Sequence, residues 1–305
     1  MKVFITGGFG FVGRTLTQCL VQQGYSVTLL DRSIHQQRSL SVNVNRISGD
    51  ATQPGEWQDV LAEHDVIINL AGETIFKRWN NQYKDRIYNS RILCTRHVVD
   101  AMRKRPDQKK LLINASAIGY YGLYTDQYSD IDEFYPQGND FLAQVAFDWE
   151  KEAVNASALK DTRVVLLRFA VILGKHGGAL KQMLTPFRYG LGCELGSGKQ
   201  YFSWIHELDL ANIVLFVIRN ANITGAINCC SPSIVTQSQF AKTLATVVHR
   251  PIILPAIPGF MLKLVLGEFG NSLLHGVRAV PTQLLSHGFQ FQYPEVQNAL
   301  ANLVS

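Results

Sequence analysis

Between the apolar run Val3-Phe4-Ile5 and an amphipathic stretch from Arg14, the chain reads Thr6-Gly7-Gly8-Phe9-Gly10-Phe11-Val12-Gly13. Glycines at Gly7, Gly10 and Gly13, entered by a strand and left by a helix, constrain the fold more than any other feature. The turn must be tight. Backbone N–H groups must approach a bound group closely, and the helix must lie against the sheet. A pyrophosphate at the helix N-terminus meets all three demands, with Gly7, Gly10, Phe11, Val12 and Gly13 as its expected contacts. Asp31 closes the next apolar run, eighteen residues after Gly13. That is near the ~20 expected of an acid that meets an adenine ribose. A triphosphate loop needs Gly-Lys-Ser/Thr, which does not occur here. The segment predicts a dinucleotide site.

The first half alternates strands with helices. Strands are expected at Lys2–Thr6, Ser26–Leu30, Arg46–Ser48, Val66–Leu70, Leu111–Ala115 and Val164–Leu167. Helices are expected over Arg14–Gln23, with Gly24 at the C-terminal cap, and over Asp85–Met102. Phe141, Val145, Trp149 and Ala153 recur every four residues and predict another. Repeated strand–helix–strand units imply an α/β fold, a doubly wound parallel Rossmann sheet. After Arg168 glycines cluster and the elements shorten. Residues 1–167 are read as the dinucleotide domain. Residues 168–305 are read as a smaller substrate lobe that shares strands with it, closing with a segment from about Pro251.

The formal net charge is +5 over 305 residues, too weak and too dispersed to predict a nucleic-acid partner. The densest basic stretch, Arg103-Lys104-Arg105, reads as a solvated helix end. Cys19, Cys94, Cys193, Cys229 and Cys230 are odd in number and contain no Cys-x-x-Cys pair. Neither a disulfide framework nor a zinc site is expected, and a cytoplasmic location is. No run approaches a membrane span, and the N-terminus reads as a strand and not a signal peptide.

The loop resembles that of the extended short-chain dehydrogenase/reductase superfamily. Asn69-Leu70-Ala71-Gly72 is similar to that family's cofactor-lining segment, Asp50 to its adenine-contacting acid, and Phe202–Asp209 to its substrate-lobe signature. The resemblance narrows to an epimerase-like subfamily labelled as nucleoside-diphosphate-sugar epimerases, with a C-terminal segment of unassigned function. Its marks run along the chain: Leu70-Ala71-Gly72-Glu73, Arg78-Trp79, Ser90-Arg91, Ser116-Ala117-Ile118-Gly119-Tyr120-Tyr121-Gly122, Trp149-Glu150, Pro186-Phe187-Arg188 and Ser203-Trp204-Ile205-His206. The resemblance implies an NAD(P)-dependent oxidoreductase or epimerase, and a homodimer for which the Phe141–Trp149 face could serve. By resemblance, Leu70, Ala71, Gly72 and Arg91 face the cofactor.

Asp31 would accept from ribose hydroxyls and repel a 2′-phosphate, which favours NAD. Arg32 could pair with that phosphate. The subfamily commonly has a small polar residue at the position of Asp31, keeps the arginine and implies NADP. The reading adopted is NADP, with NAD as the alternative.

The superfamily's chemistry uses a serine, a tyrosine, and a lysine one helical turn after it. Ser116 closes the Leu111–Ala115 strand, but no tyrosine has a lysine four residues later. The nearest pattern is Phe147-x-x-x-Lys151, and phenylalanine has no proton to give. Tyr120 and Tyr121 are the candidate replacements. Glu73 is a candidate base. Arg78, Lys84, Arg168 and Arg188 are candidates to gather phosphates or carboxylates of a small polar substrate, Trp204 to stack on it, and His206 to bond it. Each also has a structural reading as an ion pair, a cap or core. The absent dyad leaves a second function class open, an NADP(H)-binding sensor or docking protein with little turnover.

Overall fold

The computed structural model describes residues 1–32, 43–123 and 129–305. Nine strands are described: β1 (Lys2–Thr6), β2 (Ser26–Asp31), β3 (Val44–Ser48), β4 (Val66–Asn69), β5 (Lys110–Ala117), β6 (Thr162–Phe169), β7 (Val171–Gly174), β8 (Trp204–His206) and β9 (Gly225–Cys229). All but β7 and β8 form one parallel sheet in the order β3-β2-β1-β4-β5-β6-β9. The order reverses between β1 and β4, and a crevice opens there at the C-terminal ends of the strands.

Strand alternation builds a core on each face. Ile5, Ile68 and Ile113 face α1 (Phe11–Gln22) with its Leu16 and Leu20. Phe4, Ile67 and Leu112 face α2 (Trp57–Ala62), α3 (Asn81–Arg103) and α4 (Phe141–Val154), meeting Leu61, Val98 and Ala153. Asn80 caps α3, its side chain accepting from Tyr83 N at 2.8 Å, and Asp140 caps α4, accepting from Ala143 N at 3.1 Å. α1 begins at Phe11, three residues before the sequence expectation, because extended Gly10 is already its cap. β5 runs on through Ser116, which therefore projects from a strand and not from the loop after it.

The rest of the described chain adds the parallel pair β7–β8 with α5 (Gly178–Arg188), α6 (Glu207–Arg219), α7 (Gln237–Val247), α8 (Gly259–Leu266), α9 (Glu268–Ser272), α10 (Thr282–Ser286) and α11 (Val296–Val304). Trp204, Phe240, Leu244 and Leu300 form a further core. These elements interlock with the first sheet. β9 extends the first sheet, α6 packs beside α1, and Thr15 Oγ1 donates to Glu207 Oε2 at 2.8 Å.

Two surfaces differ from their sequence reading or specify it. The Phe141–Trp149 face does not lie open for a second copy. Val145 and Trp149 are buried, and Phe141 packs edge-on to Trp79. The Arg103–Arg105 stretch is the exposed end of α3, tied to Asp100, Asp59 and Glu63. Among the described residues, no helix is long and apolar enough to cross a membrane and no group of side chains could hold a metal ion.

Candidate active site

Gly7 has φ +69°, and a Cβ there would lie 2.9 Å from the Leu70 carbonyl carbon. A Cβ on Gly13 would lie 2.5 Å from Gly7 O. The loop is therefore folded onto both the helix and the β4 exit. α1 starts with no side-chain cap and no acid in its first turn. Its leading N–H groups, at Phe11, Val12 and Gly13, have no carbonyl earlier in the helix to pair with, and such groups suit an anion. The Phe11 ring itself is packed away against the turn at Gly174, Gly177 and Gly178.

A buried polar cluster fixes the floor. Thr6 Oγ1 donates to Asn69 Oδ1 at 2.6 Å. Asn69 Nδ2 donates to Asn114 Oδ1 at 2.7 Å and to Thr95 Oγ1 at 2.8 Å. Beyond it the chain passes through Leu70, Ala71 and exposed Gly72, against which the Arg91 guanidinium lies. Arg91 donates to Ile87 O at 2.9 Å and sits 5.2 Å from the Trp149 ring centre. Burial pushes its guanidinium down to about 10, so a nearby anion would stabilise its charged form.

At the β2 end, Asp31 is ion-paired with Arg46 of β3, while Arg32 is exposed. Asp50 accepts from Thr52 N at 2.9 Å and from Thr52 Oγ1 at 2.8 Å.

Register places Ser116, Arg168 and Asn228 side by side across β5, β6 and β9. Glu150 of α4 comes down onto them. Its Oε1 accepts from Ser116 Oγ at 2.6 Å and from Arg168 Nε at 2.8 Å, and its Oε2 accepts from Arg168 Nη2 at 2.8 Å. Arg168 Nη1 donates to Tyr121 OH at 2.9 Å, and Tyr121 OH donates to Asn228 Oδ1 at 2.6 Å. Burial opposes the Arg168 charge, but the Glu150 bonds and charge outweigh it and hold the guanidinium above its ordinary range. Burial pushes the Tyr121 phenol up despite Arg168. Tyr121 is thus committed to the interior. Tyr120 is half-buried, with its ring 3.6 Å from the Arg168 guanidinium carbon. The Phe147–Lys151 pair is exposed on the outside of α4. The buried positions of α4 include no tyrosine or lysine, and Glu150 is the ionisable side chain among them.

A cleft of about 450 Å³ lies beside Leu142 and Asp140, walled by Trp79, Phe141 and the α8–α9 segment. Leu142 stands against Gly119 of the turn that carries Tyr120, but neither Tyr120 nor buried Ser116 lines the cleft. Lys84 pairs with Glu268 of its wall, and exposed Arg78 lies against Gly267. Glu73 accepts from Tyr83 OH at 3.2 Å and pairs with Lys77 at 3.8 Å.

Three candidates lie elsewhere. Trp204 is 1% exposed in the core with Phe240 and Leu244 and cannot stack on a ligand. Arg188 is exposed at the end of α5, beside Arg250. His206 caps α6. Its Nδ1 accepts from Leu208 N at 3.1 Å, so its Nε2 carries the proton toward Asn302 Oδ1 at 3.2 Å. Asp209 accepts from Gln292 N and Tyr293 N instead of pairing with His206.

Burial lowers the His206 pKa. A depressed histidine contributes stability above its unfolded value of ~6.5 and loses it as pH falls below that. Protonating Nδ1 also forfeits the cap. The wild-type melting temperature is expected to fall between about pH 6.5 and 5.5, and less steeply in His206→Asn, which keeps a capping oxygen. Equal slopes in thermal unfolding at the two pH values would reject this role.

Glu150 and Arg46 carry much of the site, and sequence reasoning nominated neither. Glu150 is the lone acid on the Ala143–Ala146–Ala153 stripe of α4, which is a readable signal. Arg46 had only its place on a predicted strand.

Residues 3–230 match the family described as NAD dependent epimerase/dehydratase, and residues 257–303 match a domain of unknown function. The chain is 37% identical to the epimerase family protein YfhF of Bacillus subtilis, covering 100% of this chain and 98% of YfhF. It is 37% identical to a chloroplastic SDR39U1 homologue of Arabidopsis thaliana, covering 98% and 86%. The crystal structure of the human epimerase family protein SDR39U1 with NADPH superposes with a TM-score of 0.86 at 33% identity, covering 99% of each chain. With a Rossmann sheet, a glycine cradle and these likenesses along its full length, the chain belongs to the NAD-dependent epimerase/dehydratase family.

Proposed function

We propose that the protein is an NADP(H)-dependent oxidoreductase or epimerase, acting on a small polar, sugar-nucleotide-like substrate at the C-terminal edge of the sheet beside Ser116 and Tyr120. The observation that carries the reading is the juxtaposition of the glycine cradle with Ser116 and Tyr120 at the C-terminal edge of one parallel sheet. A Cβ at Gly7, Gly10 or Gly13 would press on backbone atoms, so these glycines let the loop close tightly on α1 and β4, the compact turn a dinucleotide needs. The α1 N-terminus would take its pyrophosphate, Leu70–Gly72 would line it, and Arg91 would supply positive charge. The human relative crystallised with NADPH supports NADP over NAD. Five free cysteines support the cytoplasm as its compartment.

When bound, the nicotinamide supplies or accepts hydride at a carbon bearing oxygen. Ser116 gives its proton to Glu150, so its Oγ lone pairs are left to accept from a substrate hydroxyl. Tyr120, edge-exposed and backed by Arg168, moves the hydroxyl proton, while Tyr121 only holds the wall. Arg78 and Lys84 line the approach for an anionic group.

Purified protein is expected to bind NADPH, and to turn over at least one member of a panel of sugars, sugar nucleotides and carbonyl compounds. Tyr120→Phe should then lower kcat by roughly 10²-fold, the usual scale for a proton-transfer group. A Tyr120→Phe variant of unchanged kcat would remove it from the chemistry. A specific observation favours the second reading, a cofactor-binding sensor or docking protein: α4 carries no tyrosine, its lysine Lys151 is exposed, and its inward carboxylate Glu150 is already bonded to Ser116 and Arg168. Cofactor-saturated protein that changes no compound in the panel would decide for that reading.

A further inference from the structure

We infer that Arg46 is the residue that admits the 2′-phosphate of NADP at a site whose Asp31 would otherwise exclude it. The inference rests on the dinucleotide reading above.

Asp31 ends β2, where an acid receives ribose hydroxyls and repels a phosphate. Left bare, it would select NAD. It is not bare. Arg46 stands on β3, paired in register with Leu29, and its side chain reaches forward to ion-pair with Asp31. Its guanidinium carbon lies 4.9 Å from the centre of the Phe9 ring, within the glycine loop itself. Both side chains of the pair are largely buried, at 14% exposure for Arg46 and 18% for Asp31. Three elements thus hold one guanidinium: the β3 backbone, the β2 carboxylate and the loop aromatic.

The consequence is electrostatic and geometric. A paired Asp31 presents a neutral unit to the ribose instead of an anion. A guanidinium is planar, stays charged and offers a fork of donors matched to phosphate. Stacking on Phe9 fixes its plane at the loop, so little ordering remains when a phosphate arrives. Arg32, the residue nominated from sequence, is exposed and has no such support among the described residues. The selector is therefore set by a strand neighbour distant in sequence, and the acid at the β2 end does not by itself report the cofactor.

The test is titration of the full-length protein with NADPH and with NADH, read by nicotinamide fluorescence. Wild type is expected to bind NADPH more tightly. Arg46→Ala should weaken NADPH at least tenfold and NADH less than threefold. Arg46→Lys should retain part of the preference. Asp31→Ser in the Arg46→Ala background should recover NADPH affinity, because it removes the repulsion that Arg46 masks. If Arg46→Ala does not fold, Arg46→Gln, which keeps length and polarity, replaces it with the same expectation. A neutral variant whose NADPH-to-NADH ratio stays within twofold of wild type overturns the inference and leaves the cofactor reading intact. Wild-type protein that binds neither nucleotide overturns both.

Discussion

Replacing Glu150 by alanine is expected to destabilise the protein by about 3–5 kcal/mol, the scale seen when one partner of a buried ion pair is removed. The side chains of Arg168 and Glu150 are 5% and 8% exposed. Without the carboxylate, Arg168 loses two of its bonds and its only charged partner among the described contacts, keeping Tyr121 OH and Glu133 O. Ser116 Oγ loses its acceptor as well. The damage should spread across β5, β6 and β9, because one carboxylate serves side chains on the first two and, through Tyr121, reaches Asn228 on the third. Denaturant unfolding measures the loss, and a change below about 1 kcal/mol would show that the pair is not structural. A second comparison separates the lost attraction from the stranded charge. Glu150→Leu with Arg168→Met removes both charges together and should be less destabilised than either single variant, since the double variant leaves no unpaired ion behind.

What could be read from the sequence follows from range. The strands β1, β4 and β5 are apolar runs bounded by turns, and the glycine loop is local, so both were legible from neighbouring residues. Ser116 was legible as a strand end. Its commitment to Glu150 was not, because that bond spans thirty-four positions and depends on how α4 lies on β5. The same holds for Asp31. Its spacing from Gly13 indicated a ribose acid, while its partner Arg46 arrives through strand pairing. Tyr120 and Tyr121 were equivalent in sequence. The turn at Ile118–Tyr121 sends one phenol inward to Asn228 and leaves the other half-buried against the Arg168 guanidinium. Trp204 and His206 read as site residues because the superfamily's signature runs through them, and packing instead gives one to a core and the other to a helix cap. Local pattern identified the cofactor loop, and tertiary pairing decided which side chains remain available for chemistry.

Gly13→Ala should weaken NADPH binding at least 100-fold, about 2.8 kcal/mol at 1.4 kcal/mol per decade. The added methyl would fall 2.5 Å from Gly7 O and 2.6 Å from the Gly8 Cα and carbonyl carbon. These are backbone atoms and cannot swing aside. Relief requires α1 to move off the loop, which withdraws the N–H groups that would meet the pyrophosphate and opens the contact between Leu16 and Ile5. Overpacking of this kind costs about 1–3 kcal/mol in stability. The variant should therefore melt lower and bind far more weakly, and the second effect should persist at temperatures where it is fully folded. Gly24→Ala provides the contrast. Gly24 has φ +79° with open space around its missing Cβ, so alanine there strains the backbone by roughly 1–2 kcal/mol without touching the cradle. Its NADPH affinity should match wild type although its stability falls. Equal affinities in the two variants, measured by the same titration below both melting temperatures, would mean that the close approach of α1 to the loop does not hold the cofactor.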